Sequence, residues 1–276
     1  MMLWLACTFA LLAHAADTGP VLRAVIQSST VTTQKVGAYE FSADSYGFTL
    51  IKQNGELNSA GGAGVIENGA FMAVAVDDWS DWGMGKMCTA YIFNTSSFEK
   101  ILSAGMDVGE NAISTTLALS PTGKGAYGCF EDTNGGYEFG LFDSDNLVRS
   151  TIATLSTPWL ACDFTADGTL YAIDRNGKLS SVNIQTGEMT QIAETGITAT
   201  ELGSGTIDKV TSIFYVANGK KLYSIQLPTG NVKELYALEG NEQLVGMFVQ
   251  KNGTVTETDK PDKVTDLIAE FEEYSL

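Results

Sequence analysis

The sequence has 276 residues, with 33 acidic and 16 basic side chains and a formal net charge of −17 at pH 7. That charge repels phosphate backbones and anionic bilayers, so nucleic acid is excluded as an expected partner. The only histidine is His14, in a segment that we expect to be removed. Its loss excludes Ser-His-Asp catalysis, Cys-His catalysis and His-ligated metals from the mature chain, and we expect no cofactor and no bound metal.

The N-terminal segment Met1–Ala15 is an apolar run that ends in the small-x-small triplet Ala13-His14-Ala15. This pattern is typical of a cleaved signal peptide rather than of a membrane span, although Cys7 leaves lipidation as an alternative. No later apolar run approaches the roughly 20 residues of a spanning helix. We expect a secreted, periplasmic or cell-surface protein with no membrane insertion after cleavage.

Segments with the alternating apolar and polar pattern of β-strands follow along the chain. The first ones, within Val36–Ile51, have no evident innermost partner. A second group opens with Glu67–Val76 and continues with strands at Thr89–Asn94 and Phe98–Ser103, and a third group opens at Ser120–Phe130. Because strands and turns recur in the same order, the sequence predicts an internal repeat.

The repeat is clearest in Thr169–Gly196 and Ile213–Gly240, which begin 213 − 169 = 44 positions apart. Both segments run from an alternating strand through a glycine turn to a Lys-Leu strand, and then through a Thr-Gly turn to a third strand. Leu244–Gln250 follows as a lone strand. A β-sandwich also has alternating strands, but repeated Thr-Gly turns at a fixed spacing favour the blades of a β-propeller.

These repeats predict an all-β fold, a β-propeller of about five or six blades within residues 16–253. Propellers often complete one blade from both chain ends, which leaves no open sheet edge. We expect Leu244–Gln250 to be the inner strand of the blade that begins near Val36, so that the N- and C-terminal strands join.

The pattern of Leu170–Leu179, with the turn at Thr186 and Gly187, resembles the repeats of secreted bacterial propellers of the YVTN or WD40-like and quinoprotein-like families. The resemblance implies a propeller but no particular function, because such propellers include enzymes, receptors and scaffolds. The tryptophan positions that mark true quinoprotein repeats do not recur here, so we expect no quinone cofactor.

The chain changes character after Gly253. Residues 254–263 are polar and proline-bearing, as in a linker, and residues 264–276 follow as VTDLIAEFEEYSL. Pro261–Leu267 resembles the opening strand of a fibronectin type III module, which implies the beginning of a truncated module. The alternative is a short helix, because Val264, Leu267, Ile268 and Phe271 have helical spacing.

Three cysteines, Cys88, Cys129 and Cys162, remain after the expected cleavage, each in a strand-like run. We expect buried small hydrophobes, while a disulfide between neighbouring strands stays open. Two polar groups have oxygen ligands that suit calcium but lack the glycine and glutamate of a calcium loop, so turns are the better interpretation. The groups are Asp143, Asp145 and Asn146, and Asp167, Asp174 and Asn176.

The segment Asp77–Lys86, DDWSDWGMGK, lengthens its copy of the repeat and is predicted to lie on one rim of the ring. It combines carboxylates with flat apolar rings, as sugar-binding sites do. The alternative is an ordinary long hairpin whose tryptophans cover the edge of the core. The predicted ligand-binding residues are Asp77, Asp78, Trp79, Asp81 and Trp82.

Together these features favour a non-catalytic extracellular or cell-surface binding or adhesion module, with a glycan or a protein as its ligand. One alternative is a glycan hydrolase or lyase that uses the carboxylates of Asp77, Asp78, Glu131 and Asp132, since a carboxylate pair cleaves glycosidic bonds without histidine. A second alternative is a structural spacer in a longer multidomain secreted protein.

Overall fold

The structure is a computed structural model. It describes residues 19–28, 36–53, 60–66, 70–78, 86–105, 113–119, 125–131, 135–143, 148–199, 203–238, 240 and 242–250. The predicted signal peptide, linker and terminal segment lie outside these ranges. Every regular element within them is a β-strand, and none of these residues belongs to a helix long and apolar enough to cross a membrane.

The strands form five four-stranded antiparallel sheets, which we call blades 1 to 5. From the inside out, blade 1 is β20 (Glu242–Val249), β1 (Val21–Ser28), β2 (Gly37–Ser42) and β3 (Phe48–Gln53). Blade 2 is β4 (Ala60–Ile66), β5 (Ala70–Asp78), β6 (Lys86–Asn94) and β7 (Lys100–Gly105). Blade 3 is β8 (Ile113–Leu119), β9 (Ala126–Glu131), β10 (Tyr137–Asp143) and β11 (Val148–Leu155). Blade 4 is β12 (Trp159–Phe164), β13 (Leu170–Asp174), β14 (Lys178–Val182) and β15 (Met189–Glu194). Blade 5 is β16 (Gly203–Asp208), β17 (Ile213–Asn218), β18 (Lys221–Gln226) and β19 (Asn231–Ala237).

The inner strands contact one another in a closed order, from β4 through β8, β12, β16 and β20 back to β4. The described residues therefore form a ring of blades, and the prediction of an all-β propeller is confirmed. Inner strands are largely buried on both faces because each packs between two blades, as in β12, where only Asp163 is not fully buried. The outermost strands, such as β15, keep exposed polar positions.

The ring closes as the repeats predict, because β20 is the inner strand of blade 1. It pairs with β1, with Leu22 opposite Val249 and Ile26 opposite Leu244. The predicted start of this blade near Val36 is wrong, because β1 lies between β20 and β2.

Thr-Gly turns set the spacing between blades. Gly187 has a φ of 73° and Gly230 a φ of 76°, in the left-handed region that favours glycine. A Cβ on Gly187 would overlap the Cβ of Ala153 in blade 3, and a Cβ on Gly230 would overlap that of Ala193 in blade 4. Each turn therefore packs against the outer strand of the preceding blade, and both φ and close approach require glycine.

Blade 2 has a different residue at this position. The turn from Asn94 to Glu99 has the same backbone hydrogen bonds as the turn from Asn183 to Glu188, but Phe98 takes the place of Gly187, with a φ of 52°. The predicted strand Phe98–Ser103 is therefore wrong at its start, since β7 begins at Lys100. The Phe98 ring is buried against Phe248 of blade 1, with ring centroids 6.0 Å apart.

Two of the three cysteines are described in full. Cys129 and Cys162 are buried and neither forms a disulfide, which confirms the prediction of small hydrophobes for this pair. Burial raises the pKa of the Cys162 thiol. The sulfur of Cys162 lies 3.5 Å from the hydroxyl of Thr116. The side chain of Cys88 lies outside the described residues.

Candidate ligand-binding rim

One hairpin extends beyond its blade. Among the described residues, β4 pairs with β5 no further than Ala75, and β7 pairs with β6 no further than Thr89. The β5–β6 pairing continues for three more residue pairs, to Asp78 opposite Lys86. At about 3.4 Å per residue, this two-stranded ribbon projects about 10 Å beyond the described ends of the flanking strands.

The other blades have no such extension in their described residues. In blade 3, Glu131 ends β9 and pairs with Ile113 on one side and Tyr137 on the other. In blade 5, Asn218 likewise pairs with Gly203 and Lys221. The ribbon is therefore a feature of blade 2 and not part of the repeat.

The ribbon and the described chain ends lie at opposite ends of the ring. The second strand of each blade starts beside the end of the inner strand, as β1 does at Leu22 opposite Val249 and β5 at Ala70 opposite Ile66. We call this end of the ring the lower rim, and Gly19 and Gln250 lie there. Asp78, at the other end of β5, lies on what we call the upper rim.

The structure describes only part of the predicted site. The backbones of Asp77 and Asp78 lie in the ribbon, opposite Met87 and Lys86, so these ends of the predicted insertion are strand rather than loop. Nothing is described of their side chains. Trp79, Asp81 and Trp82 lie outside the described residues.

The carboxylates of the predicted hydrolase site come from two blades. Glu131 is half-buried at the end of β9, and Asp132 lies outside the described residues. Tyr137 stands opposite Glu131 and packs against the cluster that contains Trp159 of blade 4. Since opposite residues share one face of a sheet, Glu131 faces blade 4, whereas blade 2 lies on the other side of its sheet.

Asp167 and Asp174, which have calcium-type oxygens, form turns as predicted. The Oδ1 atom of Asp174 accepts hydrogen bonds from the backbone N–H groups of Asn176 and Lys178, each 2.9 Å long. Asp167 accepts hydrogen bonds from the hydroxyl of Thr165 and the N–H of Thr169, and these bonds lower its pKa. No metal-binding group of three or more acidic, histidine or cysteine side chains occurs among the residues described. Asp143, Asp145 and Asn146 have no described side chains.

A polar contact between inner strands was not predicted from the sequence. Asp163 of blade 4 accepts hydrogen bonds from the backbone N–H of Ile207, at 2.6 Å, and from the Nζ of Lys209, at 2.9 Å, both in blade 5. The signal was the single acid in the apolar strand WLACDF. Because the carboxylate of Asp163 accepts a hydrogen bond from a backbone N–H of the next inner strand, we assign it a structural role in joining the two blades rather than a role in ligand binding.

Solved structures resemble this fold over most of the chain. TolB from Acinetobacter baumannii matches with 13% identity and a TM-score of 0.50, covering 82% of this chain and 55% of that chain. The nidogen–laminin complex includes a chain that matches with 11% identity and a TM-score of 0.51, covering 83% of this chain and 98% of that chain. Both are β-propellers.

This chain thus spans just over half of the TolB chain. At these identities the similarity shows the fold alone. No protein-family model and no curated protein sequence matches the chain. Any statement about its ligand must therefore start from its own residues.

Proposed function

We propose that this chain is a non-catalytic extracellular or cell-surface binding module, which recognises glycans through the tip of the blade 2 ribbon. The observation that carries the proposal is the ribbon itself, which extends three residue pairs beyond the described ends of its flanking strands. Binding segments are typically loops placed by a rigid scaffold in this way.

The chemistry of the tip supports a sugar ligand. Asp77 and Asp78 end the described ribbon, and Trp79, Asp81 and Trp82 follow in sequence. Indole rings stack on the apolar C–H faces of sugar rings, and carboxylates accept hydrogen bonds from sugar hydroxyls. A site of this kind needs neither histidine nor metal.

The position of the ribbon supports a surface role. Gly19 and Gln250 lie on the lower rim, so a membrane anchor or another module attached through either of them would lie on that side. The upper rim would then face outwards with its ribbon. We accordingly propose secretion to the periplasm, the cell surface or the medium.

Isothermal titration of the chain Ala16–Leu276 with a panel of oligosaccharides tests the proposal. We expect at least one saturable ligand whose binding is lost in the Trp79→Ala, Trp82→Ala double variant. The matched control is Tyr46→Ser, which removes an exposed aromatic ring from the lower rim and should leave binding unchanged. Absence of binding across the panel, or equal loss in the control, would refute a glycan site on the ribbon. Turnover of the bound sugar would point to the hydrolase instead.

A further inference from the structure

The junction between blades 5 and 1 exposes a group of apolar side chains. Tyr46 is 55% exposed and Leu50 is 49% exposed, while Phe48 and Tyr236 are half-buried beside them. The ring centroid of Tyr46 lies 5.6 Å from that of Phe48 and 5.7 Å from that of Tyr236. We call these four residues the seam patch.

The seam patch arises where the repeat is broken. Tyr236 in blade 5 and Ala193 in blade 4 occupy equivalent positions. Tyr236 pairs with Leu222 and Ala193 pairs with Leu179, each beside a β-bulge. At that position in blade 4, the alanine packs directly under a Thr-Gly turn of the next blade. A tyrosine leaves no room for such a turn, so the turn of blade 1 that carries Tyr46 lies over an aromatic ring and remains exposed.

The chain leaves the ring close to this patch. The N–H of Gln250 donates to the carbonyl of Val21, 2.8 Å away, and Val21 pairs with Ser42. The carbonyl of Ser42 accepts a hydrogen bond of 3.1 Å from the hydroxyl of Tyr236. Gln250 is therefore two strand spacings, about 10 Å, from the edge of the patch.

The sequence after Gln250 contains apolar residues within reach. A further 276 − 250 = 26 residues follow, and Val264, Leu267, Ile268 and Phe271 are among their apolar positions. The polar residues 251–263 span about 40 Å when extended. Attachment to the same chain gives the segment a millimolar effective concentration at the patch, so that weak apolar contacts suffice.

We propose that the segment Val264–Phe271 packs its apolar side chains onto the seam patch. This holds the chain after Gln250 against the lower rim and away from the ribbon. The proposal does not depend on the glycan site, because it concerns the opposite rim.

Thiol labelling in the full chain tests the contact. Leu50→Cys places a reporter in the patch, and Val210→Cys places a control reporter elsewhere on the lower rim, where Val210 is 92% exposed. Each reporter is combined with the natural tail, with Leu267→Asp plus Phe271→Asp, and with the control tail Glu272→Gln plus Glu273→Gln. Labelling at each cysteine is followed by peptide mass spectrometry.

We expect the aspartate tail to speed labelling at position 50 at least fivefold, with no change at position 210 and none for the control tail. Equal labelling rates at position 50 with all three tails would overturn the proposal. Protection that increases with protein concentration would also overturn it, because a second copy of the chain would then cover the patch.

Discussion

The junctions between blades 3 and 4 and between blades 4 and 5 are built alike, whereas those on either side of blade 1 are not. In the regular junctions, Gly187 and Gly230 pack against Ala153 and Ala193. Beside blade 1, aromatic residues replace one member of each such pair. Phe98 stands at the glycine position in the junction with blade 2, and Tyr236 stands at the alanine position in the junction with blade 5. The repeat is thus kept where only the spacing of blades matters and is replaced where the chain ends are joined.

The largest effect is expected at Phe98. Phe98→Ala should lower the free energy of unfolding by about 3–5 kcal/mol, because it leaves a cavity beside Phe248 of the closing strand. Phe98→Gly should cost about 1 kcal/mol less than the alanine variant, since it removes the strain of a positive φ. Ile101→Ala, at a partly exposed neighbour, is the control. Urea denaturation measures all three, and a loss below that of the control would show that Phe98 does not hold the closure.

Two glycines with the same φ allow the cost of backbone strain to be separated from the cost of steric overlap. Gly187 and Gly196 both have a φ of 73°, but an added Cβ would overlap Ala153 at Gly187 and meet nothing within 4 Å at Gly196. Gly196→Ala should cost about 1 kcal/mol from strain, and Gly187→Ala about 2 kcal/mol more from overpacking. Ala153→Gly should recover part of that difference. Equal losses for the two glycine variants would contradict the spacing role of the Thr-Gly turn.

A smaller effect is expected where polar groups join blades 4 and 5. Asp163→Ala should lower the free energy of unfolding by about 1–3 kcal/mol, because the buried N–H of Ile207 loses its acceptor. Lys209→Ala should cost under about 1 kcal/mol, since its partly exposed ammonium is screened by solvent. Thermal unfolding at low and high salt distinguishes the two. A larger loss for the lysine variant would reverse this assignment.

The last effect appears only at high pH. Burial, followed by the carboxylates of Asp208 and Asp44, raises the pKa of Tyr215 from 10.0 to about 12. The unfolded chain therefore loses this proton first. Stability from the neutral phenol is complete below pH 10 and is lost as the pH rises to about 12. Tyr215→Phe should flatten that decline in alkaline denaturation, and an unchanged decline would contradict the shift.

The sequence predicted the parts of the fold that repeat. Blades 4 and 5 were recognisable because their Thr-Gly turns must have glycine for two separate reasons, a positive φ and a close neighbour. Phe98 concealed the same turn in blade 2, because aromatic residues rarely adopt a positive φ. The residue against which its ring packs, Phe248, is also distant in sequence. The β1 strand was missed for a similar reason, since its inner partner is almost the whole chain length away.

The candidate site was predictable only in outline. Asp77–Lys86 was recognisable as extra sequence, but the projection follows from the described pairing of β4 and β7, which ends at Ala75 and at Thr89. Asp163 and the seam patch depend on contacts between blades, which no local pattern contains. These features therefore depend on packing between residues distant in sequence, which the local sequence pattern does not determine.

The most direct test of the binding role removes the ribbon and keeps its blade. In this variant residues 77–87 are replaced by Asn-Gly, which joins Val76 to Cys88 through a tight hairpin turn. Among the described residues, the four-stranded part of blade 2 ends at Ala75 opposite Thr89, so thermal unfolding should be unchanged. The account predicts that oligosaccharide binding measured by titration disappears in this stable variant. Full binding without the ribbon would contradict it.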